Sequence, residues 1–309
     1  MTERAGKETA GRVPCLRFCP HALVVAGAFA LLLAAPGRPA GVGDGEFGEP
    51  VPVPVVGYSG DAMEPFLSRD GRVLMFNSSN DPEEDTDLHW AERTDDGGFV
   101  YRGAIAGANS TALDGVPSMD ARGRMFFVTT RSYEETLATI YQGEFVAGAL
   151  RNVSIVEGVS RGVYGALNFD AEISADGETL YAVDGTFRGG VVPKAADIFI
   201  ARRDGAGFVR DPASARIFAQ INTAALEYAP ATSANELTLY FTRLSGRMFW
   251  RKLEILEARR TTRGDAFGPP VPIAAISGIV EAPSLGPDGR TLYFHRKVGG
   301  VYGIYGVSR

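Results

Sequence analysis

One short unit recurs along this chain and constrains its fold more than any other feature. The clearest copy reads EAPSLGPDGRTLYF at 281–294, and EPFLSRDGRVLMF at 64–76 and DAEISADGETLY at 170–181 repeat it. Two further copies are more divergent, VPSMDARGRMFF at 116–127 and APATSANELTLYF at 229–241. Aligned on the turn glycine, the anchors are Gly71, Gly123, Gly177, Glu236 and Gly289, at intervals of 52, 54, 59 and 53 residues. A proline stands six residues before the anchor in four copies, and Ala171 takes its place in the third. Repeats of this period imply stacked supersecondary units with a shared core.

Each copy has a physical reading as a hairpin: a short strand, an Asp-Gly turn whose glycine tolerates positive φ, then a strand of β-branched and aromatic residues. A third strand is expected at 87–93, 139–142, 197–203, 253–260 and 302–308, and a fourth near Phe99, Phe145, Phe208 and Phe267. Four antiparallel strands per roughly 50 residues make one propeller blade. The last unit ends at Arg309 after its third strand, which would leave an edge open. The segment FGEPVPV at 47–53 parallels FGPPVPI at 267–273, so the N-terminal strand is expected to complete the last blade. The expected fold is an all-β, five-bladed propeller formed by residues 42–309 as one domain, its ring closed by the N-terminal strand.

The units resemble TolB-type WD-like β-propeller repeats, whose shared core runs roughly acid-x-x-P-S-x-S-P-D-G-x-x-L-Y-F followed by D-I-Y/F. The resemblance covers about residues 47–309. It implies the propeller architecture and an exported protein; for function it implies little, because that family spans periplasmic scaffolds and domains of exopeptidases.

Residues 1–41 are expected to be an export signal or N-terminal anchor. They carry Arg4, Lys7, Arg12 and Arg17, an apolar stretch from Ala22 to Ala35, then Pro36 and small residues. That stretch is too short to span a membrane comfortably. A periplasmic or secreted location follows. Both cysteines, Cys15 and Cys19, lie in this segment, so no disulfide framework braces the rest. Without this segment the chain carries a net charge of −9, which repels phosphate backbones and speaks against a nucleic-acid partner. A monomer with a protein or glycan ligand is expected. The N-x-S/T triplets at Asn77, Asn109 and Asn152 are short enough to arise by chance.

In a propeller the first strand of each blade lines the channel, so residues just before the proline position gather at one mouth. There the chain places Asp61, Glu64, Asp114, Asp170, Glu172, Glu227 and Glu281. The loops between second and third strands add Arg131, Arg243, His295 and Arg296, with Asn80 to Asp85 in the first blade. Acids at such positions are expected mainly to accept backbone N–H groups of a neighbouring blade, which offsets their burial. If two or three escape that role, a carboxylate pair can hydrolyse a glycosidic bond. The candidates for such catalysis are Asp170, Glu227 and Glu281. Glu64, Asp114, Arg131, Arg243, Arg296 and Tyr228 join them as candidate ligand contacts, while Tyr228 and Tyr164 are more readily explained as packing.

Other chemistries find thinner support. His89 and His295 lie in different blades and are expected to cap strands rather than bind metal. No cofactor is expected, although Asp81, Asp85 and Asp87 offer hard oxygen ligands for calcium without EF-hand spacing. The stretch Gly57-Tyr58-Ser59-Gly60 lacks the serine-hydrolase elbow. A non-enzymatic exported scaffold binding a protein or glycan at the channel mouth is therefore the leading expectation, with a carbohydrate-active enzyme as the alternative.

Overall fold

The computed structural model describes residues 45–81, 84–190, 192–246 and 250–309, so the expected export segment lies outside the described residues. Within them the chain is all-β, its strands running as successive antiparallel meanders. The first contains β3 (Met63–Leu67), β4 (Val73–Asn77), β5 (Leu88–Arg93) and β6 (Phe99–Ala104), and β2 (Val55–Val56) adds to β6 in parallel. The second contains β7 (Asp114–Met119), β8 (Arg124–Thr129), β9 (Ile140–Val146) and β10 (Ala149–Ile155). The third contains β11 (Ala166–Ile173), β12 (Thr179–Thr186), β13 (Ala195–Asp204) and β14 (Gly207–Arg210). The fourth contains β15 (Leu226–Thr232), β16 (Thr238–Ser245), β17 (Lys252–Arg259) and β18 (Val271–Pro272). In the last, β19 (Val280–Leu285), β20 (Thr291–Val298) and β21 (Val301–Ser308) pair in turn. The outer flank of β21 is taken by β1 (Val51–Pro52), with Val51 opposite Gly306 and Pro52 opposite Tyr305.

The turn glycines behave as their sequence context requires: Gly71, Gly123, Gly177 and Gly289 have φ of 74°, 83°, 78° and 65°. The divergent fourth copy puts Glu236 in the same left-handed conformation, at φ 60°. Its side chain offsets that cost by accepting the Tyr181 hydroxyl at 2.9 Å and approaching Arg263 at 3.1 Å.

Apolar clusters fill the space between consecutive sheets. Met75 and Phe66 meet Met125 and Phe127 between the first two, and Phe126 and Ile140 meet Ile173 and Phe199 between the next two. Tyr181 and Ile198 meet Phe241 and Phe267, and Tyr240 and Ile255 meet Leu292 and Phe294. Tyr293 and Ile304 of the last sheet pack on Leu74 and Phe76 of the first. The innermost strands follow the same circuit, β3 by β7, β7 by β11, β11 by β15, β15 by β19 and β19 by β3.

A second repeated device locks the third strand to the fourth. Arg93 donates to the Gly71 carbonyl and lies over the Phe99 ring at 4.6 Å; Arg203 does the same with Gly177 and Phe208 at 4.5 Å. Arg260 repeats it with the Glu236 carbonyl and Phe267 at 4.4 Å. Arg309 over Phe47, at 4.9 Å, is the counterpart between the two ends of the described chain. No helix among the described residues is long and apolar enough to cross a membrane.

Candidate functional site

Every innermost strand carries a β-bulge before the turn anchor, seven and six residues before it in four repeats and one residue earlier, at Phe169 and Asp170, in the third. The bulge residue is left-handed in four repeats: Glu64, Val116, Ala229 and Ala282 have φ between 49° and 56°, each followed by the repeat proline. The bulge turns that residue's N–H out of its own sheet and toward the preceding one. Val116 N–H reaches Asn77 Oδ1 at 3.1 Å, Ala282 N–H reaches Thr242 Oγ1 at 3.1 Å, and Glu64 N–H reaches His295 Nδ1 at 3.1 Å. All three acceptors stand six residues after the anchor of the preceding repeat. In the third repeat that position is Val183, which has no acceptor, and Asp170 Oδ2 takes the Ala229 N–H at 3.2 Å.

The latch therefore differs from expectation. Acids were expected to hold the neighbouring N–H groups; at the bulge Asn77, Thr242 and His295 do so in three cases and Asp170 in one, while Asp61 accepts the Tyr302 N–H of the last sheet at 2.9 Å. Asp114 and Glu227 sit nine residues before the anchor and are fully buried in a different arrangement. Asp114 accepts the N–H and hydroxyl of Ser110 and pairs with Arg131 at 2.6 Å. Glu227 accepts the N–H and hydroxyl of Thr223 and pairs with Arg243 at 2.7 Å. Each arginine also donates to the loop behind it, Arg131 to the Ala108 carbonyl and Arg243 to that of Ile221. These four side chains form two equivalent clips that tie an inner strand to the loop preceding it. Glu172 is likewise engaged, by Arg69 at 2.9 Å and Ser118 at 2.8 Å.

What remains is a group of three carboxyls from three sheets. Glu64 (β3) and Asp170 (β11) occupy the bulge position, and Glu281 (β19) directly precedes it. Asn80 donates to Glu64 Oε1 at 2.7 Å, His295 Nε2 lies 3.3 Å from Glu281 Oε2, and the Tyr228 hydroxyl donates to Glu281 Oε1. Phe169 backs the Tyr228 ring at 6.1 Å, and Phe187 meets Phe169 edge-on at 5.8 Å. The free space between the bulges, which Glu64 and Asp170 help to line, is about 30 Å³, room for one or two waters.

Their environments drive the three carboxyls apart. Burial, then the Glu64 and Glu281 charges, hold the Asp170 pKa well above the ordinary carboxyl range. Burial also raises Glu64, against the opposing pull of His295. Burial works in the same direction on Glu281, but the hydrogen bonds from His295 and the Tyr228 hydroxyl outweigh it and keep Glu281 below its usual value. Burial lowers His295, yet its bond to Glu281 and the charges of Glu64, Glu281 and Asp61 leave it raised. Burial and the Glu281 carboxylate push the Tyr228 phenol well up, so it stays a donor. The surroundings thus favour the neutral form of Asp170 and the ionised form of Glu281, a pairing of the kind acid–base chemistry uses.

The other sequence candidates lie outside this group. The Arg296 guanidinium rests over Tyr305 at 5.6 Å and makes no ion pair among the described residues. Tyr164 is exposed, its ring 6.0 Å from Tyr133. Asp81, Asp85 and Asp87 do not assemble with other His, Cys, Asp or Glu side chains into a metal-holding group among the described residues. His89 binds the Tyr101 hydroxyl through Nδ1 at 2.9 Å and stacks on Phe76, a packing role. His295 was expected to cap a strand; it is instead at the centre of the carboxyl group, and the signal available in sequence was its alignment with Asn77 and Thr242.

No protein-family model matches the chain, and no curated protein matches it. Solved structures do. A structure described as a glycoside hydrolase aligns with TM-score 0.54 at 10% identity, covering 83% of this chain and 88% of its own. A thermostable family-43 glycoside hydrolase aligns with TM-score 0.53 at 13% identity, covering 83% and 91%. A family 117 glycoside hydrolase from Zobellia galactanivorans aligns with TM-score 0.51 at 9% identity, covering 85% and 90%. Identities this low show the fold alone, a β-propeller.

Proposed function

We propose that this protein is a glycoside hydrolase-like carbohydrate-active enzyme that works at the mouth of a five-bladed propeller. Asp170 is the general acid, and Glu281 is the ionised carboxylate that acts as base or nucleophile. The Glu64 carboxyl adds to the burial that favours the neutral form of Asp170. The observation that carries the reading is the opposite displacement of Asp170 and Glu281 in one cluster, since glycosidic cleavage requires one carboxyl of each kind. The likeness to glycoside hydrolase propellers supports it at the level of fold. The scaffold reading yields here, because it gives no reason to bury three carboxyls together at a cost in stability.

Five blades are supported by the five meanders and by the circuit of innermost strands. Closure is supported by the pairing of β1 with β21 and by the Phe47–Arg309 contact. The TolB-type character of the repeats rests on their sequence core. We place the protein outside the cytoplasm, as a monomer with a glycan substrate, on its N-terminal segment and acidic body.

The test is cleavage of an oligosaccharide panel followed by mass spectrometry, with Asp170→Asn and Glu281→Gln assayed beside the wild type. Loss of about 10²- to 10⁴-fold in turnover with an unchanged far-UV spectrum is expected. A wild type that cuts no glycan, or variants that keep turnover, would refute the proposal.

A further inference from the structure

His295 is the group whose chemistry this architecture determines most closely. At its position in two other repeats stand Asn77 and Thr242, and all three side chains accept the bulge N–H of the following sheet. Asn and Thr do this with an oxygen and do not titrate. An imidazole does it only through an unprotonated nitrogen, so Nδ1 must be bare and the ring proton must sit on Nε2. That proton faces Glu281 Oε2 at 3.3 Å. The titratable groups around the ring are Glu64, with Oε1 3.9 Å from Nδ1, Glu281, Asp61 and Tyr302, whose ring meets it edge-on at 5.4 Å. His295 is fully buried, so water does not compete for either nitrogen.

We infer that His295 is a positioning residue of the carboxyl site: the N–H of Glu64, crossing from the first sheet to the last, selects the Nε2–H tautomer, and that tautomer orients Glu281 for reaction. A structural latch and the tuning of Glu281 are thus one device. Its purpose rests on the hydrolase reading; its geometry does not. The same contact links the first sheet to the last, so Glu281 is correctly set only when those two sheets are docked.

Nitrogen NMR of the full chain labelled with ¹⁵N-histidine tests this, the His295 signals being identified by their loss in His295→Asn. At neutral pH Nδ1 should resonate as a bare nitrogen and Nε2 as a protonated one; the reverse pattern, or a doubly protonated ring, overturns the inference. The second arm follows the Glu281 side-chain carbon through a pH titration. In His295→Asn the amide oxygen can take the Glu64 N–H as Asn77 takes that of Val116, but the donor to Glu281 is lost. The Glu281 midpoint should therefore rise by about one pH unit, and an unchanged midpoint overturns the inference. Should that variant fail to fold, the His295 signals are identified by elimination, from the loss of the other two in His21→Gln and His89→Gln, and the wild-type tautomer decides alone. Absence of glycan cleavage would defeat the hydrolase reading and leave the tautomer result standing, so the two failures are distinguishable.

Discussion

Replacing Glu227 with Ala separates the acids that hold the fold from those assigned to chemistry. The Glu227 side chain is fully buried and accepts three donors: the Thr223 N–H at 3.0 Å, the Thr223 hydroxyl at 2.7 Å and Arg243 Nε at 2.7 Å. Truncation leaves the Arg243 guanidinium, only 17% exposed, with the Ile221 carbonyl as its remaining hydrogen-bond acceptor and the Phe241 ring 5.4 Å away. Removing one member of a buried pair costs about 3–5 kcal/mol, because the other charge stays desolvated. For a domain of this size each kcal/mol lowers the melting temperature by about 2–4 °C, so a fall of roughly 10 °C is expected. Thermal unfolding followed by circular dichroism measures it. A melting temperature within about 2 °C of wild type would show that the clip contributes nothing, and the division between structural and reactive acids would lose its basis.

Further outcomes follow from the same geometry. Asp170 has a folded pKa above its unfolded one, so the folded state binds the extra proton and stability falls as pH rises above the ordinary Asp range. Asp170→Asn keeps an oxygen for the Ala229 N–H and should melt higher than wild type at pH 7, about equal to it at pH 3, while losing turnover; a lower melting point at pH 7 would contradict this. Thr242→Val leaves the buried Ala282 N–H without its acceptor, so a loss of about 1–3 kcal/mol is expected from urea unfolding. An unchanged midpoint would mean that the bulge latch is incidental. Deleting residues 45–53 bares the outer flank of β21, and light scattering should then show association through that edge; a monodisperse, equally stable product would argue against closure.

Much of the fold was legible because it is written in short-range terms. A glycine at a left-handed turn, alternating aromatics on the following strand and an interval near 50 residues can all be read from one repeat and checked against the next. Even Phe47, far from Arg309 in the chain, was legible through its likeness to Phe267. The candidate site was legible only in part. Asp170 and Glu281 were named, but so was Glu227, and the three look alike in sequence because each is an acid shortly before a proline or its replacement.

Register within the bulge is what separates them. Nine residues before the anchor, Asp114 and Glu227 reach back to their own loops; at seven and eight, Glu64, Asp170 and Glu281 meet. A bulge shifts the two-residue alternation of a strand, so the direction of a side chain cannot be counted off from the sequence there. The repeat unit and its strands were thus determined by the sequence alone, since local sterics and hydrophobic alternation set them. Which acids meet, and which groups face each nitrogen of His295, was decided by the tertiary structure, because those depend on backbone N–H groups and charges brought from other sheets.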